Sequence, residues 1–133
     1  DIPMDYDSLA KIGSMLGSGG MVVMDETTDM VKVALRIMRF YAHESCGWCI
    51  PCREGTAWLR KILVRFHDGM GRRDDINLLG DISKNMLGRT FCPLGDAAAL
   101  PTISIVEKFR DDFEAHLNGN PCPYERASEP VMA

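Results

Sequence analysis

Cys46-Gly47-Trp48-Cys49-Ile50-Pro51-Cys52 places three thiols at three-residue intervals, and a fourth, Cys92, stands forty residues further on beside Pro93. A CxxCxxC loop can wrap three corners of an iron–sulfur cube, because two intervening residues let each sulfur reach a different iron while backbone N–H groups turn inward. The remaining iron then needs a remote thiolate, which Cys92 can supply. The expected chemistry is single-electron transfer through one [4Fe–4S] cluster ligated by Cys46, Cys49, Cys52 and Cys92.

Neighbouring residues suit such a site. Gly47 permits a tight turn beside the first thiol, and Pro51 and Pro93 stiffen the loops next to the later ones. Four thiolates leave a net negative charge that is costly to bury without donors or positive ends facing it. Helix starts near Pro51 and after Pro93 would point positive ends at the site, and Arg53 would add a full charge beside Cys52, although a solvated first-turn arginine is an equally ordinary reading.

Structural zinc is the main rival, since Zn²⁺ also takes four thiolates, but zinc sites usually use two separate CxxC pairs. A purely structural helical module for subunit assembly is the second alternative. A thioredoxin-like pair at Cys49 and Cys52 lacks the strand-to-helix setting it needs and leaves two cysteines unexplained. Cys122 reads as a free thiol, and His43, His67 and His116 as surface or helix-capping residues. No catalytic triad emerges: Asp74-Asp75 and Asp111-Asp112 are adjacent and therefore splayed, reading as an N-terminal turn and a solvated face.

The elements that must position these thiols follow from periodicity. Ser8 to Ile12, the glycines between 13 and 20, and Met21-Val22-Val23-Met24 read as short helix, turn and buried strand. The glycines lack the Gly-Lys-Ser/Thr ending of a P-loop and the preceding strand of a dinucleotide loop, so a plain turn is expected. Behind the N-cap residues Thr27-Thr28-Asp29, apolar residues at Met30, Ala34, Ile37, Met38 and Tyr41 predict a helix to about His43. A second opens at Pro51 and buries Trp58, Leu59, Ile62, Leu63 and Phe66. A third starts at Asp74-Asp75, buries Ile76, Leu79, Ile82 and Met86, and ends at a left-handed Gly88. A fourth follows Cys92-Pro93 and carries Ile103, Val106, Phe109, Phe113 and Leu117, with Pro101 in its first turn or at a kink near its beginning. An antiparallel arrangement would bring the Cys46 and Cys92 loops to one end. The fold expected is mainly α: a four-helix bundle with a short αβ unit at its front.

With 133 residues, 46% of them apolar and 26% charged, the chain can build one core and neither disorder nor fibrous classes compete. A net charge of −4 and the absence of any Lys/Arg run argue against nucleic-acid binding. No stretch is long and apolar enough to cross a bilayer and no export signal is present, so cytoplasmic residence and reduced thiols are the default. The opening Asp1-Ile2-Pro3-Met4 runs straight into patterned sequence, which suggests a piece of a longer chain.

Glu44-Ser45-Cys46-Gly47-Trp48-Cys49-Ile50-Pro51-Cys52-Arg53-Glu54-Gly55, together with Phe91-Cys92-Pro93-Leu94-Gly95-Asp96-Ala97, resembles the NADH-oxidising flavoprotein subunit of respiratory complex I, the NADH-quinone oxidoreductase. Flavoprotein subunits of NAD-reducing hydrogenases and formate dehydrogenases are similar. The resemblance implies that residues 1–28 end a ubiquitin-like (SLBB) domain, that 29–117 form the helical [4Fe–4S] domain, and that 118–133 are a flexible tail. It also implies that NADH reduces FMN in a preceding domain absent from these residues, and that electrons pass from FMN through this cluster to further iron–sulfur centres and quinone. On this reading the piece itself is not catalytic. The implied partners are peripheral-arm subunits, above all the thioredoxin-like [2Fe–2S] subunit and the large iron–sulfur subunit. Localisation would be cytoplasmic, on the inner face of the energy-transducing membrane through the complex and without direct insertion.

Overall fold

The structure, a computed structural model, describes residues 1–117. Six helices follow one another: α1 Tyr6–Lys11, α2 Met30–Glu44, α3 Ile50–His67, α4 Arg73–Met86, α5 Leu94–Lys108 and α6 Arg110–Ala115. The last predicted segment, 118–133 with Cys122, lies outside the described residues.

The long helices start where local chemistry satisfies their free N–H groups. Asp29 caps α2 by accepting from the Val31 N–H (2.8 Å), and the Asp112 carboxylate accepts from the Met30 N–H (3.3 Å). Pro51, one residue after the start of α3, has no N–H to leave unpaired. Asp75 Oδ2 accepts from the Arg72 N–H (3.1 Å) at the start of α4.

Helices α2 to α5 close into a four-helix bundle, with α2 on α3, α3 on α4, α4 on α5 and α5 back on α2. Helical spacing puts Val31, Ala34, Leu35 and Met38 of α2 opposite Leu59, Leu63 and Phe66 of α3, and Ile76, Leu79 and Met86 of α4 join the same core. Burying each large side chain contributes about 1.5–3 kcal/mol. Phe66 meets Phe113 of α6 edge to face at 5.4 Å. Two cations, Arg65 and Arg72, hold the buried carboxylate of Asp75 at the α3–α4 corner.

Several expectations need correction. No strand forms among the described residues. Met21, Val22 and Val23 are 73%, 79% and 88% exposed, because a lone extended segment has no neighbour with which to share its ladder bonds. The front unit therefore shows its helix and glycine turn, without a sheet. Trp58, assigned to the buried face, is half exposed. The fourth predicted helix is two: Phe109, with φ −125° and ψ 40°, ends α5 and begins α6, and it is itself exposed. Pro101 sits inside α5 instead of in its first turn. Asp112, expected on a solvated face, is partly covered where it reaches the start of α2.

Candidate metal centre

The α2–α3 corner carries three of the thiols. Ser45 ends α2, its N–H bonding back to the Tyr41 carbonyl (3.0 Å). Gly47 then takes φ +77°, a conformation in which a side chain would be strained, and the chain reverses within four residues. Cys46 is exposed, Cys49 half-buried as the N-cap of α3, and Cys52 buried in the first turn of that helix.

Polar contacts hold this corner in place. The Arg53 guanidinium donates from Nη1 to the Gly47 carbonyl (3.0 Å) while Nε pairs with Glu54 (2.9 Å). Arg53, itself exposed, makes no hydrogen bond to a sulfur; it tethers the turn that contains Cys46 and Cys49. Ser45 Oγ lies 3.3 Å from Cys52 Sγ.

The α4–α5 corner carries the fourth. Gly88 turns the chain at φ +65° and donates its N–H to Asp96 Oδ1 in the first turn of α5 (2.8 Å). Thr90 Oγ1 donates to the Cys92 carbonyl (2.9 Å). Thr90 also packs so closely on Gly95 that a Cβ there would meet its Oγ1 at 2.6 Å. Cys92 itself is exposed, and Pro93 is the N-cap of α5.

The two corners meet. The Phe91 N–H points at Cys49 Sγ across 3.5 Å, joining residues separated by 42 positions. A cleft of about 490 Å³ opens between them, lined by Trp48, Cys49, Pro51, Gly88, Thr90 and Phe91 among others. The N-terminus of α3 borders it, and α5 begins two residues after Cys92, so two positive helix ends lie near the thiols.

Juxtaposition stops short of a closed single-ion site: among the described residues no three Cys, His, Asp or Glu side chains stand close enough to hold one metal ion. The described cysteines, Cys46, Cys49, Cys52 and Cys92, are all free thiols. A larger cleft of about 600 Å³, lined by Gly13, Met15, Tyr41, Leu100 and Pro101 among others, contains none of the candidate ligands.

The histidines stand apart. His43 is exposed and bonded to Glu44 (3.0 Å), and His67 ends α3. His116, expected at the surface or as a cap, does cap α6 but is wholly buried, with Nε2 3.3 Å from Asp29 and Nδ1 2.7 Å from the Asp112 carbonyl. Burial alone would push its pKa down. The Asp29 carboxylate and the Asp112 carbonyl outweigh that, so it lies above the ordinary imidazole value.

Residues 32–116 match the family of NADH-ubiquinone oxidoreductase-F iron-sulfur binding regions. The chain belongs to this family. Among relatives of this iron-sulfur region, the NADH-quinone oxidoreductase F subunit of Mycobacterium tuberculosis strain H37Rv is 47% identical over all 133 residues, which cover 30% of that protein. The NADH-quinone oxidoreductase F 2 subunit of Rhizobium meliloti strain 1021 is 48% identical over 93% of the chain and 30% of its own length. The chain therefore spans under a third of these curated relatives. In fold the iron-sulfur region is similar to a NAD⁺-reducing [NiFe]-hydrogenase in the H₂-reduced state, with a TM-score of 0.68, 33% identity and coverage of 77% of this chain and 18% of that one. No helix among the described residues is long and apolar enough to cross a membrane.

Ser45, Thr90, Gly95 and Asp96 support the cysteine loops but were not singled out for that role from the sequence. Each lies within four residues of a candidate ligand. Only the tertiary contacts distinguish them from ordinary turn and cap residues.

Proposed function

We propose that Cys46, Cys49, Cys52 and Cys92 hold one [4Fe–4S] cluster and that the domain relays single electrons. The observation that carries this reading is the 3.5 Å approach of the Phe91 N–H to Cys49 Sγ, which puts the loop of the remote cysteine against the CxxCxxC turn. A CxxCxxC triple with one remote cysteine fits a cube better than an ion. Zinc draws its four sulfurs to about 2.3 Å from a single point, whereas a cubane gives each thiolate its own corner.

When bound, the cluster supplies a one-electron store. The protein's part is to keep Cys49 and Cys52 at the positive end of α3, to set Cys92 beside the start of α5, and to present N–H and O–H donors to sulfur. Gly47, Pro51, Arg53 and Pro93 shape the loops.

In the longer polypeptide the donor is FMN reduced by NADH, bound outside these residues, and electrons continue to further iron–sulfur centres and quinone. Residues 1–28 end an SLBB-like domain and 29–117 form the cluster domain. The partners are peripheral-arm subunits, chiefly the thioredoxin-like [2Fe–2S] subunit and the large iron–sulfur subunit. Their assembly holds the protein at the cytoplasmic face of the energy-transducing membrane.

Protein prepared without oxygen should be brown, contain about four irons with matching acid-labile sulfide per chain, and bleach under dithionite. Colourless protein with stoichiometric zinc overturns the proposal. Replacing Cys92 by Ala in the full complex should abolish NADH-to-quinone turnover, whereas a purely structural module would keep it.

A further inference from the structure

We infer that Ser45 is a positioning residue that raises the reduction potential of the cluster by donating a hydrogen bond to the Cys52 thiolate. The inference rests on the ligand assignment proposed above. Its geometric basis is the 3.3 Å separation of Ser45 Oγ and Cys52 Sγ. In a free thiol either atom could donate. A cysteine bound to iron has lost its proton, so the hydroxyl becomes the sole donor of the pair.

Burial decides which sulfur this affects most. Cys52 is 7% exposed, whereas Cys46 and Cys92 face solvent. Water can hydrogen-bond an exposed thiolate and replace a lost protein donor there; it has little access to Cys52. A protein donor in low-dielectric surroundings also acts more strongly on charge than one in water. Cys49, half-buried, has its own donor in the Phe91 N–H. The partly shielded end of the site thus carries one donor on each of its two sulfurs, one from the backbone and one from Ser45.

Ser45 is also held in position. Its backbone closes α2 through the bond to Tyr41, and φ −61° with ψ 120° aims the chain into the Cys46 turn. The hydroxyl spans seven residues to reach the first turn of α3. On reduction one electron is added, no covalent bond forms or breaks, and the proton stays on Ser45 Oγ. Extra negative charge reaching Cys52 Sγ strengthens the hydrogen bond, so the reduced form is stabilised more than the oxidised one.

The test is a dithionite titration of the intact complex, followed by electron paramagnetic resonance, comparing wild type with Ser45→Ala and Ser45→Thr. The expected result is a more negative midpoint potential in Ser45→Ala at unchanged iron content, and a near-native potential in Ser45→Thr, which keeps the hydroxyl. An unchanged potential in a fully loaded Ser45→Ala overturns the inference. If Ser45→Ala loses iron while Ser45→Thr retains it, the hydroxyl requirement stands; loss in both overturns it, because the space at position 45 would then matter and the donor would not. A wild-type complex with no signal from this centre and no iron on these cysteines fails the ligand assignment instead, so the two failures are distinct.

Discussion

Arg53 illustrates how little a charge by itself says about its role. Beside Cys52 in sequence, it could neutralise a thiolate; in the structure it spends its donors on the Gly47 carbonyl and on Glu54, both near solvent. Exposed pairs of this kind contribute little to stability, typically under about 1 kcal/mol. Arg53→Ala should therefore move the unfolding midpoint only slightly. Its effect should appear in the turn: with the Gly47 carbonyl released, iron should leave to a strong chelator several-fold faster than from wild type, measured by loss of visible absorption. Equal release rates would mean that the tether does not hold the loop.

Among the elements, α3 packs on Met86 of α4 at Gly55, one turn below the cysteine corner. A Cβ at this glycine would lie 2.4 Å from Met86 Sδ, and Met86 is almost wholly buried. Overpacking of this kind costs about 1–3 kcal/mol. Gly55→Ala should lower stability by that amount in urea titrations, and in a double-mutant cycle its cost should shrink when Met86 is already Ala. An undiminished cost would place the strain elsewhere.

The junction of α2 and α6 should respond to pH. His116, buried between Asp29 and the Asp112 carbonyl, has its pKa raised in the folded protein above the value near 6.5 of an ordinary imidazole. Its charged form is thus favoured by folding. The stabilisation is complete below about pH 6.5 and disappears as pH rises through the folded value. Urea midpoints should fall over that range. Asp29→Asn keeps an N-cap acceptor for α2 and should flatten the dependence. A midpoint that rises with pH in the wild type would contradict the sign.

For the molecule as a whole, the packed core and the cysteine loops are separate structures. The buried cluster of apolar side chains runs from Met30 to Leu117 and closes without help from Cys46 or Cys92, both exposed. Small zinc domains behave otherwise, since their metal supplies most of the folding energy. Removal of iron and sulfide should accordingly leave the helical circular dichroism near its loaded value. Amide exchange should rise at residues 45–49 and 88–93 and stay slow in α3 and α4. Global unfolding on iron removal would mean that the loops are the keystone of the bundle.

The types and spacing of the cysteines, the four amphipathic helices and the left-handed Gly88 were determined by local sequence, because ligand chemistry, helical period and φ preference act over a few residues. The family resemblance was legible for the same reason, concentrated in the stretches around Cys46 and Cys92. Tertiary structure alone decided that Phe91 stands on Cys49 and Ser45 on Cys52, that Asp75 and His116 are buried with their charged partners, and that Phe109 divides one periodic run into two helices. It also decided that Met21 to Val23 form no strand, since a strand exists only through hydrogen bonds to a neighbour. Contacts of this sort depend on which distant segments meet, and period and propensity carry no record of that.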